Sequence, residues 1–234
     1  MRARWDNNRN PKYSEVLTDL LQERYSCRGF LPYPVSRTTI ETILRTAQRT
    51  ASWCNSQPWQ ISIASGEALL RLREQLSEHV RSNRSQPDFP WPSGYHGVYR
   101  ERRRECGLQL YQSVGIAAGD QQASELQRLE NFRFFGAPHV AIISTDRELG
   151  TYGAIDCGAY VANFALAAHS VGIASIAQAA LAAYPDFWRE HLKLGDDRRI
   201  VCGISFGYED PDHPANRFQT SRADISEVVN WVDR

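Results

Sequence analysis

The 234-residue sequence predicts a single α+β domain, with three α-β-α layers as the fuller form of that expectation. Three observations lead there. Apolar residues recur at helical spacing in five stretches, whereas strand-like alternation or short apolar runs occur in only four. Those four do not alternate cleanly with the helices, and no GxGxxG follows the first of them, which disfavours a doubly wound dinucleotide fold. No repeat or linker divides the chain, and its length suffices to bury a substantial core.

Residues 1–12 are polar and read as an arm. From Tyr13, the spacing of Val16, Leu17, Leu20 and Leu21 predicts a first helix up to Arg24. The proline-containing GFLPYPVS interrupts it. Ile40, Ile43, Leu44 and Ala47 then mark a second helix, with Ser36 or Thr38 as its cap. Trp59, Ile61 and Ile63 alternate as a strand, and Leu69, Leu72, Leu76 and Val80 signal the next helix. Residues 83–97 hold prolines, glycines and aromatics without periodicity, a length at which loops often serve as lids or binding loops. A long helix is expected through Leu108, Leu110, Tyr111, Val114 and Ile116. HVAIIST (139–145), residues 173–178 and RIVCGISFGY (199–208) read as strands, and Ala154 to Val171 as an apolar central helix. The last 26 residues form a tail ending in Ile225, Val228, Val229 and Trp231.

Formal net charge is zero and the charges are mixed, which argues against bulk electrostatic attraction to nucleic acid or an anionic membrane. Only Lys12 and Lys193 are lysines, so 25 of the 27 basic residues are arginine and any anion site must use guanidinium groups. The five cysteines are unevenly spaced and form no CxxC pair, which suggests neither a disulfide framework nor a zinc site. The six histidines form no metal-ligand pattern, so no metal is expected. With no apolar run at the N-terminus and no stretch of membrane-spanning length, a reduced, cytoplasmic setting fits.

Four segments carry candidate chemistry. In RYSCR (24–28), Arg24, Ser26 and Arg28 alternate, so an extended backbone would aim two guanidiniums and a hydroxyl at one anion. A solvated charged turn accounts for the same pattern. In TASWCNSQPW (50–59), Ser52, Asn55 and Gln57 lie between an apolar helix and an apolar strand, and an amide such as Asn55 matches the donor–acceptor edge of a pyrimidine-like ring. An ordinary turn is the alternative. GIASIAQAALAAYPD (172–186) passes through Gln178 into small residues, which let a planar ligand reach the backbone or simply pack a helix start. NRFQTSR (216–222) sets Arg217 and Arg222 beside Thr220 and Ser221, a second candidate phosphate grip. YRERRR (99–104) suits the extra phosphate of NADPH, an acidic substrate or a solvated helix face. Phe89, Trp91, Tyr95 and Tyr99 suit either a substrate-covering lid or a cluster pinning the loop.

RYSCR, SWCNSQPW, IAQAALAAYPD and NRFQTSR, with GISFGYED before the last, occur in an order and spacing that resembles the FMN-dependent nitroreductase family from about Leu20 to Trp231. The resemblance implies a three-layer α-β-α fold with a mostly antiparallel central sheet. It implies one FMN-binding domain over 13–234, in an intertwined homodimer whose tail (209–234) wraps the partner. It places FMN at the subunit interface. Arg24, Ser26 and Arg222 would hold the phosphate, with Arg28 near the phosphate or pyrimidine end. Ser52 and Asn55 would address the ribityl chain and ring edge, with Tyr25, Trp53 and Gln57 beside these groups. The backbone at Gln178, Ala179 and Ala180 would face N5, and Trp91, Tyr95 and Tyr99 would cover the substrate. The activity implied is ping-pong reduction of nitroaromatics, quinones or similar electron-poor acceptors, with NAD(P)H as donor and hydride transfer through FMN N5. No side-chain acid or base is demanded. Related enzymes often carry a lysine near flavin N1 and O2; none lies in these segments, so Arg28 supplies that charge or nothing does. A dehalogenase or dehydrogenase of the same fold and a flavin-binding protein without turnover are the alternatives.

Overall fold

The computed structural model describes residues 11–233. Residues 1–10 of the expected arm lie outside them, and its last two, Pro11 and Lys12, already open the first helix. Seven α-helices are described: α1 (Pro11–Glu23), α2 (Arg37–Ala47), α3 (Gly66–Ser82), α4 (Gly97–Ser113), α5 (Gln121–Leu129), α6 (Gly150–His169) and α7 (Pro185–Leu192). The four strands are β1 (Gln60–Ser65), β2 (His139–Asp146), β3 (Ala174–Gln178) and β4 (Arg198–Gly207), ordered β1-β2-β4-β3 with every pairing antiparallel.

Strand periodicity builds the layers. Along β2, Val140 and Ile142 enter one core with α3, α7 and the 130–136 turn, while Ala141 and Ile143 enter a second core with α2 and α6. β2 is therefore buried almost throughout. Each face of the sheet thus carries helices. In the first core, the fully buried Trp188 donates its Nε1–H to the Leu181 carbonyl. Leu181 lies so close to β4 that a Cβ added at Gly203 would meet its Cδ1 at 2.3 Å. In the second core, Trp59 stacks on Tyr160 at 5.0 Å.

Local signals account for most helix ends. Ser36 caps α2, its Oγ accepting from Thr39 N at 3.1 Å. Pro185 opens α7 and Lys193 closes it in the left-handed region. Two helices, α5 and α7, were not expected, because each is too short, nine and eight residues, to repeat its apolar face over several turns. The helix expected to run through Ile116 ends at Ser113, with Gly115 at φ 73° beyond it.

His139 ties the 31–36 loop to the sheet. Its Nε2 accepts from Val35 N at 2.8 Å, which leaves the proton on Nδ1 to donate to Ser65 Oγ at 2.6 Å. Burial lowers its pKa, so the fold favours the neutral ring. Its contribution is present above the ordinary histidine value of about 6.5 and is lost as pH falls through and below it. Urea midpoints at about pH 7.5 and about pH 5.5 should show a smaller acid-side loss for His139→Gln than for the native chain, by on the order of 1 kcal/mol. Equal losses would remove His139 from the account.

Candidate functional site

The first candidate segment adds to the edge of the sheet. Ser26 forms a parallel bridge with Ser175 in β3, and Cys27 N donates to Ser175 O at 3.2 Å. The alternation expected from the sequence holds from Ser26 to Arg28. Cys27 is fully buried, while Arg24, Ser26 and Arg28 line a cavity of about 590 Å³, which the half-buried Tyr25, out of phase with them, also lines. Arg222, Thr220 and Phe218 complete its far side, and Thr18, Leu21 and Gln22 of α1 and Cys106 of α4 close it.

Three guanidiniums share this space, and no carboxylate is among the lining residues. Burial lowers the Arg24 pKa, and the charge of Arg222 lowers it further. Burial also lowers that of Arg28. The Arg24 shift combines burial with a neighbouring like charge and the Arg28 shift is one of burial, and no lining carboxylate offsets either, the setting of an anion site. Local bonds aim the groups: Arg28 Nη1 donates to Ser26 O at 3.2 Å, and Arg222 Nη1 donates to Thr220 Oγ1 at 2.9 Å. Asn216 anchors the crossing, accepting from Arg28 N at 2.7 Å and donating to Gly29 O at 2.9 Å. The sequence reading passed over Asn216, although it opens the NRFQTSR segment. Arg217, the other arginine of that pair, turns away to Asp212 O at 3.3 Å and does not line the cavity.

The third segment continues from β3. The Gln178 side chain is committed to the core, donating to Asn131 O at 2.9 Å and accepting from Ser205 Oγ. Backbone is what this segment offers to a ligand, since Ala179 is exposed and Ala180 half-buried.

The 50–59 segment sits apart from that cavity. Thr50 Oγ1 accepts from Asn163 of α6 at 2.7 Å, Trp53 N donates to Asp156 at 3.1 Å, and the Trp53 ring meets Tyr152 edge-on at 4.6 Å. Asn55 and Gln57 line a separate surface cavity with Arg45, Gln48 and Arg49 of the α2 end. Cys54, Asn55 and Gln57 all have φ near +50° although none is glycine, and all three are exposed. Backbone strain of about 1–3 kcal/mol per such residue is held here by a few local bonds, among them Gln57 N to Ser52 Oγ at 2.9 Å.

Trp91, Tyr95 and Tyr99 are exposed, and none lines the 24–28 cavity. The base of their segment is fixed. Asp88 pairs with Arg189, both nearly buried, and its other oxygen accepts from Ile200 N at 2.7 Å. Gln86 N donates to Ala183 O at 2.9 Å, and Arg199 lies over the Phe89 ring. Among the described residues, no three His, Cys, Asp or Glu side chains are grouped to hold a metal ion, and no helix is long and apolar enough to cross a membrane.

The family model described as "Nitroreductase family" matches residues 21–208. The chain is 35% identical over 213 residues to nitroreductase NfnB of Mycolicibacterium smegmatis, covering 91% of each chain. It is 32% identical over 226 residues to a 4-nitrobenzoate reductase of a Nocardioides species, covering 93% of this chain and 90% of the relative. Among solved structures, that of the FMN-dependent nitroreductase NfnB from Mycobacterium smegmatis in complex with NADPH superposes with a TM-score of 0.89 at 34% identity. The match covers 94% of this chain and 99% of that one.

Proposed function

The chain belongs to the nitroreductase family, and from that premise we propose that it is an FMN-dependent NAD(P)H oxidoreductase acting on nitroaromatics, quinones or similar electron-poor acceptors. The observation that carries the reading is the 590 Å³ cavity in which Arg24, Arg28 and Arg222 converge without a carboxylate. A phosphate monoester dianion fits that donor set, with the Ser26 and Thr220 hydroxyls beside it. Bound FMN would supply the redox chemistry, accepting two electrons from a reduced nicotinamide and passing them to the acceptor. This chain's own residues then bind and orient. Arg24 and Arg222 hold the phosphate, Arg28 brings positive charge to the phosphate or pyrimidine end, and the backbone from Gln178 to Ala180 faces the ring.

The remaining predicted contacts, Ser52, Trp53, Asn55 and Gln57, require a partner. We place them on the flavin of a second copy in a homodimer. Exposed apolar surface supports this. On α6, Ile155, Gly158, Ala159 and Ala162 are all exposed at helical spacing, a face of small residues suited to close packing against its own two-fold mate. The tail adds Ile225, Val228, Val229, Trp231 and Val232. Residues 209–217 are bonded to their own chain, through Asp210 N to Gly29 O and the Asn216 contacts. Phe218, Thr220 and Arg222 line their own chain's cavity, so the reach toward a partner falls to the residues past Arg222. Its landing site would be the open edge of β1, where a groove of about 840 Å³ is lined by Val35, Ile40, Leu44, Ile61, Ile63 and Leu192. All five cysteines are free, which suits a reducing compartment such as the cytoplasm.

Anaerobic titration of the FMN-loaded protein with NADPH should bleach the flavin, and a nitroaromatic should restore its yellow colour. Bound flavin that neither NADPH nor NADH bleaches would favour storage or a different redox role. Arg24→Ala should weaken FMN binding about ten- to hundredfold, read by fluorescence titration, because one charge-assisted phosphate contact is lost. Unchanged affinity would take the phosphate away from this cavity.

A further inference from the structure

Gln178 ends β3, and Ser205 lies in the neighbouring β4. Ile176, two residues before Gln178, faces the first core, while Ile204 and Phe206, on either side of Ser205, face the second. Alternation therefore points Gln178 and Ser205 into the first core, where they are 2% and 0% exposed. There Ser205 Oγ donates to Gln178 Oε1, and Gln178 Nε2 donates to Asn131 O at 2.9 Å and to Asn131 Oδ1 at 3.3 Å. Asn131 is itself held at the end of α5, its Nδ2 donating to Arg128 O at 3.0 Å. Both polar atoms of the Gln178 side chain are thus engaged. An apolar side chain of similar length would fill this place without the cost of desolvating an amide, so packing alone does not call for glutamine.

A second anchor follows three residues later. Leu181 is fully buried, Gly203 leaves room for it against β4, and Trp188 Nε1–H holds its carbonyl. Between the two anchors lie only Ala179, exposed, and Ala180, half-buried. Neither has a polar side-chain atom, so their backbone is placed through the residues on either side. The peptide that carries the Ala179 N–H begins at Gln178, and its direction follows the hold on that side chain. We propose that Gln178 is a positioning residue for the flavin: its bonds to Ser205 and Asn131 fix the Ala179 N–H toward N5 and so hold down the midpoint potential of the bound flavin. The inference rests on the function proposed above. Oxidised N5 offers a lone pair to an N–H, whereas reduced N5 carries its own hydrogen and accepts less well, so a well-placed N–H favours the oxidised form.

The test is the midpoint potential of the FMN-loaded protein, taken by dithionite titration against a reference dye, in Gln178→Met and Ser205→Ala. Methionine keeps the length and loses the bonds, and Ser205→Ala withdraws one donor from the far side of the network. Gln178→Met should favour the reduced flavin about three- to tenfold, an upward shift of about 15–30 mV for two electrons. Ser205→Ala should shift the potential by less and with the same sign. Affinity for oxidised FMN should fall by the same factor in each variant while that for reduced FMN holds. Ile143→Val, in the other core, loosens packing without touching the network and should leave the potential where it was. A potential that stays put while urea stability falls, that moves downward, or that moves equally in Ile143→Val reduces Gln178 to a structural role and overturns the proposal. Should Gln178→Met fail to fold, Ser205→Ala decides alone. Dithionite replaces the nicotinamide, so a native protein that holds FMN but ignores NADPH and NADH would sink the proposed function and still leave the potential to be read.

Discussion

A chain lacking residues 224–234 should run as a monomer in size-exclusion chromatography with light scattering, and should retain little FMN after desalting. The cut leaves Arg222 and Thr220 in place, so the phosphate-facing side of the cavity stays intact and flavin loss reports the missing partner. Ile225, Val228, Trp231 and Val232 are each more than two-thirds exposed, or within a percent of it. Burying a large apolar side chain fully is worth about 1.5–3 kcal/mol, so two exchanged tails offer ample free energy for dimerisation. The tail's ion pair with its own chain, Arg102 to Glu227, is exposed and worth at most about 1 kcal/mol. Its removal should therefore leave the fold of the remaining chain largely intact, with near-native circular dichroism. A truncated protein that stays dimeric and yellow would refute the exchanged tail.

Asp88→Ala should destabilise the chain by about 3 kcal/mol in urea unfolding. Asp88 serves two buried groups at once, the Arg189 guanidinium and the Ile200 N–H at 2.7 Å. Alanine leaves the amide without an acceptor and Arg189 with the Arg198 carbonyl and a single carboxylate, Asp186, whose side chain is 84% exposed. Asp88→Asn retains an acceptor for one of the two and should fall between. A loss below about 1 kcal/mol would mean that water replaces the carboxylate, and that the loop base is softer than its bonds imply. Because Asp88 pins the start of the aromatic segment, acceptor KM should change in the asparagine variant even where the fold survives.

Much of the fold could be read from periodicity because its physics is local. HVAIIST is buried on both faces, and α6 is apolar around most of its circumference, so both announce themselves in composition. RYSCR showed its two-faced character for the same reason: alternation in an extended segment needs no knowledge of what lies opposite. The α4 boundaries were less legible, since that helix buries no residue and has no apolar stripe to mark its start. The five aromatics of the 130–136 turn and α7, Phe132, Phe134, Phe135, Phe187 and Trp188, pack together from two short elements that give no long periodic signal. The site was harder still. Arg217 and Arg222 looked equivalent in sequence, and only a bond to Asp212 O and the cavity lining separate their roles. Cys106 carried no signal at all, because its place depends on how α4 crosses the 24–28 segment.

Residues 24–28 and residues 52–57 stand apart on one chain, so a cofactor site drawing on both would be the joint property of two gene copies. Alleles damaged in different segments would then complement one another. A mixed dimer would assemble one site from the two sound halves and concentrate both lesions in the other. Two alleles damaged in the same segment could not rescue each other, and a damaged copy expressed beside a sound one would spoil part of its output. Inheritance of the activity would follow the pairing of chains rather than the dose of either.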